Sequence, residues 1–499
     1  MIRQPLSFST FQLQHFFAQA ATCVALVAAV WACQGFARQA KPNLILILAD
    51  DLGYGDLGCF GQKTLKTPRL DQMAAEGMKF TQFYAGATVC APSRCVLLTG
   101  KHGGRATVRG NSTNPIVIRP EEPTLASVLR KAGYRSACVG KWGVGTPDDF
   151  TNPNDVGFDH FYGYVNMWHA HNFYPEFLIR NGKVEKLQNA VAPKWKPWQN
   201  PKHPMSGRGV AVIKKQYAPD LFIEDALSFI RDNAQGANAD EKNNPFFLYF
   251  AMNVPHANNE AGAQGMEVPD LGEFAHKDWP EPEKGFAAMI RNIDRDVGRI
   301  LDLLQELKLD QNTLVLFTSD NGPHWEGGHN ADYFDSNGQF RGYKRDLYEG
   351  GIRVPTIARW PGVVKPGSED DAHWYFGDFL ATFAELGQAK LPEGLDSDSF
   401  AGPLRGTAHE KRWGRKNKMY WEFYERGTAQ AVRFGKWKAI RKPMFTGEIQ
   451  LYDMSNDPDE SSDYAKRRPD LSRHAANLFD KYHRPDPNWK TRAPNKRVE

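Results

Sequence analysis

Short apolar runs separated by amphipathic stretches set the pattern of this chain. Residues 43–49 run Asn-Leu-Ile-Leu-Ile-Leu-Ala, which predicts a strand buried on both faces of a parallel sheet. Arg135–Val139, Phe246–Phe250, Thr313–Ser319 and Val354–Trp360 read as further buried strands, and Phe80–Tyr84 as a strand leading into the loop before Cys90. Between them apolar residues recur at helical spacing. Examples are Leu125, Val128, Leu129 and Ala132, and the longer series Phe286, Met289, Ile290, Ile293, Val297, Ile300, Leu301 and Leu304. Thr67-Pro68 opens a short helix closed by Gly77, Val96–Leu98 continues a buried helix, and Asp220–Ile230 and Asp378–Leu386 read as two more. Strand–helix alternation up to about residue 388 predicts an α/β domain, 41–388, with a large, mainly parallel sheet flanked by helices. Beyond 389 the pattern changes to β-like pieces at Lys418–Glu422, Ala431–Phe434, Trp437–Ile440 and Leu451–Asp453, then a helix over 469–482. That tail, 389–499, predicts a small antiparallel sheet with a helix.

Composition narrows the class without naming a function. At 499 residues, 41% hydrophobic and 24% charged, a folded protein with a large core is expected. The formal net charge of +4, from 62 basic and 58 acidic residues, does not argue for nucleic acid, and no Lys/Arg-rich run supports that partner. The N-terminus reads as a targeting segment: Arg3 supplies charge, Ala20–Trp31 an apolar run, and Gly35 and Ala37 the small residues of a cleavage site. The expectation is an exported protein, periplasmic or secreted, with signal peptide 1–37. Val30-Trp31-Ala32-Cys33 loosely resembles a bacterial lipobox, so a membrane enters only through lipidation at Cys33. Of the cysteines at 23, 33, 59, 90, 95 and 138, two fall in the leader, and the remainder do not suggest a disulfide framework.

The chemistry gathers where apolar runs stop. The run at 43–49 ends in Asp50-Asp51-Leu52-Gly53, and the run at 313–319 in Asp320-Asn321-Gly322. Ligand sites in parallel sheets lie at the carboxyl ends of strands. These four side chains offer only oxygen, which suits a hard cation, Ca²⁺ or alternatively Mg²⁺, rather than zinc. Gly140-Lys141-Trp142 and Asn253-Val254-Pro255-His256 follow two other strands, and Lys344 precedes Tyr348-Glu349-Gly350-Gly351. The stretch Phe158–Gly182 is dense in aromatic and polar residues, among them Trp168, His169 and His171. That pattern fits a sugar pocket and a core seam equally well.

One segment gives these residues a common reading. Cys90-Ala91-Pro92-Ser93-Arg94, with Thr99-Gly100 beyond it, resembles the signature of the type I sulfatases of the alkaline phosphatase superfamily. The other landmarks of that family occur here in order. The resemblance implies an alkaline-phosphatase-like fold and a sulfuric ester hydrolase whose Cys90 is oxidised by a separate maturation enzyme to formylglycine. The hydrated aldehyde would be the nucleophile, and the released sulfate would leave by elimination. It further implies a Ca²⁺ site made by Asp50, Asp51, Asp320, Asn321 and the converted Cys90. Arg94 would hold the hydrate, Lys141 and Lys344 would grip sulfate oxygens, and His256 would act at the leaving-group oxygen. The preferred substrate is a sulfated carbohydrate, with a sulfated small molecule as the wider class. A phosphodiester or phosphonate monoester hydrolase of the same superfamily is the first alternative, and a non-catalytic sulfated-glycan binder the second. One departure stands out. Many relatives have Gly-Lys-Trp-His-Leu-Gly, whereas this chain has Gly143 where the histidine would be; His102, Asn111, His324 and His329 are the candidates to replace it.

Overall fold

A computed structural model describes residues 41–111, 117–146, 151–203, 205–235, 244–407 and 418–490. The expected leader, Cys33 and most of the polar turn read at 236–244 lie outside the described residues. The described residues from Pro42 onward form one compact unit.

In chain order the strands are β1 (Asn43–Asp50), β2 (Met78–Phe80), β3 (Phe83–Tyr84), β4 (Arg135–Lys141), β5 (His160–Tyr164), β6 (Phe177–Arg180) and β7 (Lys183–Lys186). They continue with β8 (Ala190–Val191), β9 (Ala211–Ile213), β10 (Phe246–Pro255), β11 (Thr313–Ser319), β12 (Thr356–Arg359), β13 (Ser368–Asp370) and β14 (Trp374–Tyr375). The last four are β15 (Met419–Phe423), β16 (Ala429–Phe434), β17 (Trp437–Arg441) and β18 (Ile449–Asp453). Ten of them build one sheet in the order β13-β2-β12-β11-β1-β10-β4-β5-β6-β7. Its centre, from β11 through β1, β10 and β4 to β5, is parallel throughout, and most antiparallel pairings lie toward the two edges. Every residue of β1, β10 and β11 is buried, as expected of strands covered on both faces.

The helices Pro68–Ala75, Ala218–Gln235 and Glu281–Glu306 pack with one face of the sheet around Ile45, Ile47, Leu248 and Val315. The helices Cys90–Thr99, Leu125–Lys131 and Asp378–Leu386 cover the other around Leu44, Leu46, Phe247 and Leu316. The tail forms the antiparallel sheet β15-β16-β17-β18, against which the helix Pro469–Tyr482 packs. Met419, Trp421 and Tyr452 of that sheet share a core with Tyr84 and Trp374 of the main body.

Two local readings change. The strand expected over Phe80–Tyr84 is two strands, because Thr81 and Gln82 carry the chain out of the main sheet and β3 pairs with β14 instead. The aromatic stretch contains β5, β6 and a short helix, Met167–Ala170. Tyr162, Tyr164, Phe173 and Tyr174 belong to the core, so most of the stretch is a packing seam.

Candidate active site

The register of the central strands places the site. Ala49 pairs with Ser319, so Asp50 and Asp320 leave adjacent strand ends at the same level. Asp51 then takes a left-handed backbone, φ +68°, which ends the strand and lets its side chain face the same point as its neighbour's. Its N–H donates to Asp320 Oδ1 at 3.1 Å, and Asn321 Nδ2 donates to Asp51 Oδ1 at 2.7 Å. Cys90 is the first residue of its helix, with its Sγ within 4.8 Å of carboxylate oxygens of Asp50 and Asp320.

Three cations close the arrangement. Arg94 lies one turn into the same helix and reaches Asp320 Oδ2 through Nε (2.9 Å) and Nη2 (2.8 Å), while Nη1 donates to the Lys141 carbonyl. Lys141, at the end of β4, donates to Asp50 Oδ2 at 2.6 Å. Lys344 donates to Asp51 Oδ2 (2.7 Å), to Glu326 Oε2 (2.8 Å) and to His256 Nε2 (3.1 Å). His256 follows β10, and its Nδ1 lies 2.7 Å from the Ala257 carbonyl. The nine residues expected from sequence, Cys90 with Asp50, Asp51, Arg94, Lys141, His256, Asp320, Asn321 and Lys344, therefore come together.

Burial and charge set the protonation of this cluster. Burial opposes ionisation of Asp50, but Lys141, His256 and Arg94 outweigh it and hold the carboxyl well below its ordinary range. Asp51 is lowered likewise, burial being overcome chiefly by Lys344 and His256. Asp320 goes the other way: burial and then the charge of Asp50 push it up to about 7 despite Arg94. Burial, joined by the Lys344 charge, pushes His256 down to about 3. The Cys90 thiol is raised by burial. Asp50 Oδ1 and Asn321 Oδ1 are buried with no hydrogen-bond partner. A divalent cation fits this set. The donors are oxygens, two of them unsatisfied.

The candidates for the missing histidine separate clearly. His102 Nε2 lies 3.7 Å from Asp396, and its ring packs on Tyr420 and Tyr482. His329 bonds Glu283 at 2.7 Å and stacks on Phe286. His324 Nε2 lies 3.0 Å from the Pro255 carbonyl, with its ring 5.9 Å from that of His256. Asn111 alone of the four has a bond to Cys90, Nδ2 to Sγ at 3.4 Å. His169 is core: its Nε2 meets the Phe177 carbonyl at 2.9 Å, and burial pushes it down to about 3. His171 instead stacks on His256, ring centroids 4.8 Å apart and planes 13° apart. Beside it, Glu260 pairs with Arg208 at 2.9 Å, and the Arg208 guanidinium lies 5.4 Å from the Trp168 ring. Sequence reasoning missed Glu326, which bonds Lys344 and Arg345, because a lone glutamate in a loop carries no periodic signal.

Comparison with known proteins agrees with this geometry. The Sulfatase family model matches residues 42–389, and the model of the C-terminal part of N-sulphoglucosamine sulphohydrolase matches 338–481. The N-acetylgalactosamine-6-sulfatase of Rattus norvegicus is 33% identical over 425 residues, covering 80% of this chain and 71% of that protein. The N-acetylgalactosamine-6-O-sulfatase of Bacteroides thetaiotaomicron is 30% identical over 507 residues, covering 88% and 93%. Among solved structures, Ps i-CgsB in complex with k-i-k-neocarrahexaose superposes with a TM-score of 0.72 at 26% identity, covering 90% of this chain and 94% of that one. Another, from the metabolism of multiple glycosaminoglycans by Bacteroides thetaiotaomicron, gives 0.70 at 28% identity, covering 89% and 99%. The strand-end carboxylates, the Cys90 helix and these likenesses converge: the chain belongs to the type I sulfatases of the alkaline phosphatase superfamily and is a sulfuric ester hydrolase.

Proposed function

We propose that this chain is an exported carbohydrate sulfatase that works through a formylglycine made from Cys90 with Ca²⁺ beside it. The observation that carries the reading is the buried convergence of Cys90 with Asp50, Asp51, Asp320 and Asn321, framed by three cations. Those four side chains, with residue 90, would hold the ion. When present, formylglycine supplies a nucleophilic oxygen and Ca²⁺ the positive charge that favours its ionised form.

The remaining work falls to side chains that the fold already orients. Arg94 and Lys141 hold Asp320 and Asp50 in place and keep positive charge beside residue 90, where sulfuryl oxygens gain charge in the transition state. With Nδ1–H of His256 donating to the Ala257 carbonyl, Nε2 is the acceptor for Lys344. The Lys344–His256 pair, rather than the imidazole alone, therefore carries the proton available to the leaving oxygen. General-acid help of this kind is typically worth about 10²–10⁴-fold.

A carbohydrate substrate is supported by the relatives' names and by the wall of Trp168, His171 and Arg208 next to His256, since indole faces stack on sugar rings. Enzyme purified from a converting host is assayed on 6-sulfated N-acetylgalactosamine and on aryl phosphodiester and phosphonate esters. The proposal expects the higher kcat/KM on the sulfated sugar, loss with a chelator and recovery with Ca²⁺. Higher kcat/KM on the phosphorus esters would move it to the sister activity, and glycan affinity without turnover would make it a binder. N-terminal sequencing of the mature chain tests export: a start after Ala37 fits a cleaved leader, and a lipid-modified Cys33 an anchored form.

A further inference from the structure

The wall between Arg94 and Lys141 carries no side chain at residue 143. Gly143 has φ +75°, a left-handed backbone that a residue with a Cβ rarely adopts, and a Cβ there would stand 3.3 Å from Arg94 Cδ. Contact to the reacting atom of residue 90 comes from elsewhere. Ala91 sits in the first turn of its helix, where backbone N–H groups lack intrahelical partners, and Val89 provides no side-chain cap. Asn111 fills that need: its Oδ1 accepts the Ala91 N–H at 3.1 Å. This bond fixes which way the amide faces, because the carbonyl end must meet the donor. The NH₂ end is thereby turned to Cys90, with Nδ2 3.4 Å from Sγ. The backbone N–H of Asn111 is held in turn by Glu425 Oε1 at 3.2 Å, from the segment just past β15.

We propose that Asn111 is a catalytic residue whose amide N–H donates to the side-chain oxygen of residue 90 and sets its attacking orientation, with Glu425 as the positioning residue behind it. This rests on the formylglycine reading above. An amide neither gives up nor takes a proton in the working range, so Asn111 acts through orientation and a directed hydrogen bond, not as a base. It thus supplies a side-chain contact to residue 90 that Gly143, with no side chain, does not.

The test compares Asn111→Asp, which keeps an oxygen for Ala91 but loses the donor, with Asn111→Ala and Glu425→Gln. Peptide mass spectrometry gives the fraction of converted residue 90, and kcat is expressed per converted chain. An aminooxy probe reports how readily the aldehyde is trapped. We expect KM within about twofold of wild type and kcat lower by about tenfold or more in both Asn111 variants, the size of one lost hydrogen bond to a charged or reacting group. Aminooxy labelling should rise severalfold as the hydrate loses its partner, and Glu425→Gln should show the same changes in smaller degree. If kcat and labelling stay within twofold in both Asn111 variants, the proposal is overturned. If wild type carries an intact thiol, the formylglycine reading fails separately. Iodoacetamide alkylation of Cys90 then decides: a severalfold change in Asn111→Ala keeps the orienting contact, and an unchanged rate removes it.

Discussion

Lys344 and Glu349 lie close in sequence, yet the buried ionic clusters they anchor differ in one respect that separates chemistry from architecture. Around Glu349 each carboxylate oxygen has a donor. Oε1 takes Lys438 Nζ at 3.0 Å, and Oε2 takes Tyr84 Oη at 2.7 Å and Arg353 Nη1 at 3.3 Å. Glu460 joins by accepting the Glu349 N–H at Oε2, while its Oε1 lies 3.0 Å from Lys438 Nζ without a hydrogen bond of its own and far from any reactive residue. Burial would raise Glu349, but Lys438, Arg433 and Arg353 hold it down at about 2. This cluster ties β17 of the C-terminal sheet to the main body. Around Lys344 and Asp51 the side chains are buried as well, but Asp50 Oδ1 and Asn321 Oδ1 are left without hydrogen-bond partners, and carboxylate oxygens of Asp50 and Asp320 gather with Cys90 Sγ. Buried charge alone does not mark an active site. Unsatisfied oxygens converging on a reactive residue do.

If that distinction is right, the two clusters should fail differently. The largest effect is expected from Asp51→Asn, which removes a ligand charge and the partner of Lys344: turnover should fall by about 10³-fold, as for lost electrostatic groups at the reacting centre. Its thermal midpoint should stay near that of wild type, and a midpoint loss matching the activity loss would make Asp51 structural. Lys438→Met should do the reverse. Stranding Glu349 and Glu460 without their cation should cost about 3 kcal/mol in denaturant unfolding, while kcat per folded chain stays within twofold. An activity loss at full folding would place that lysine in the catalytic machinery.

A smaller effect comes from pH. Burial and the neighbouring Glu349 charge push Glu460 up to about 7 against Lys438. A raised acid favours folding while it holds its proton in the native state. That stability is present below its ordinary pKa near 4.5 and is lost as pH rises through about 7. Glu460→Gln should flatten this loss, on the order of 2 kcal/mol, in urea midpoints measured from pH 4.5 to 8. Parallel curves for variant and wild type would contradict the assignment.

The site was legible from sequence wherever a strand delivered it. Asp50, Lys141, His256 and Asp320 each close or follow an apolar run, so the buried strand and its polar stop announce them together. Cys90 and Arg94 came from a short signature. Asn111 could be named only as one of several candidates, and Glu326 was missed, because loops bring them in by contacts distant in sequence. In the fold, the parallel centre and the C-terminal antiparallel sheet were readable from run length and the change of pattern after residue 388. Strands β5 and β6 were hidden, since aromatic residues buried on both faces leave no alternation. The split between β2 and β3 depends on β14, nearly three hundred residues away, which no local pattern encodes.

The most direct test of the account is the mass of the peptide carrying Cys90, from protein purified out of its native host. Conversion of the thiol to the aldehyde nucleophile predicts a peptide about 18 Da lighter than the cysteine form. An intact thiol, in a host shown to convert another sulfatase, would contradict the proposed mechanism at its centre.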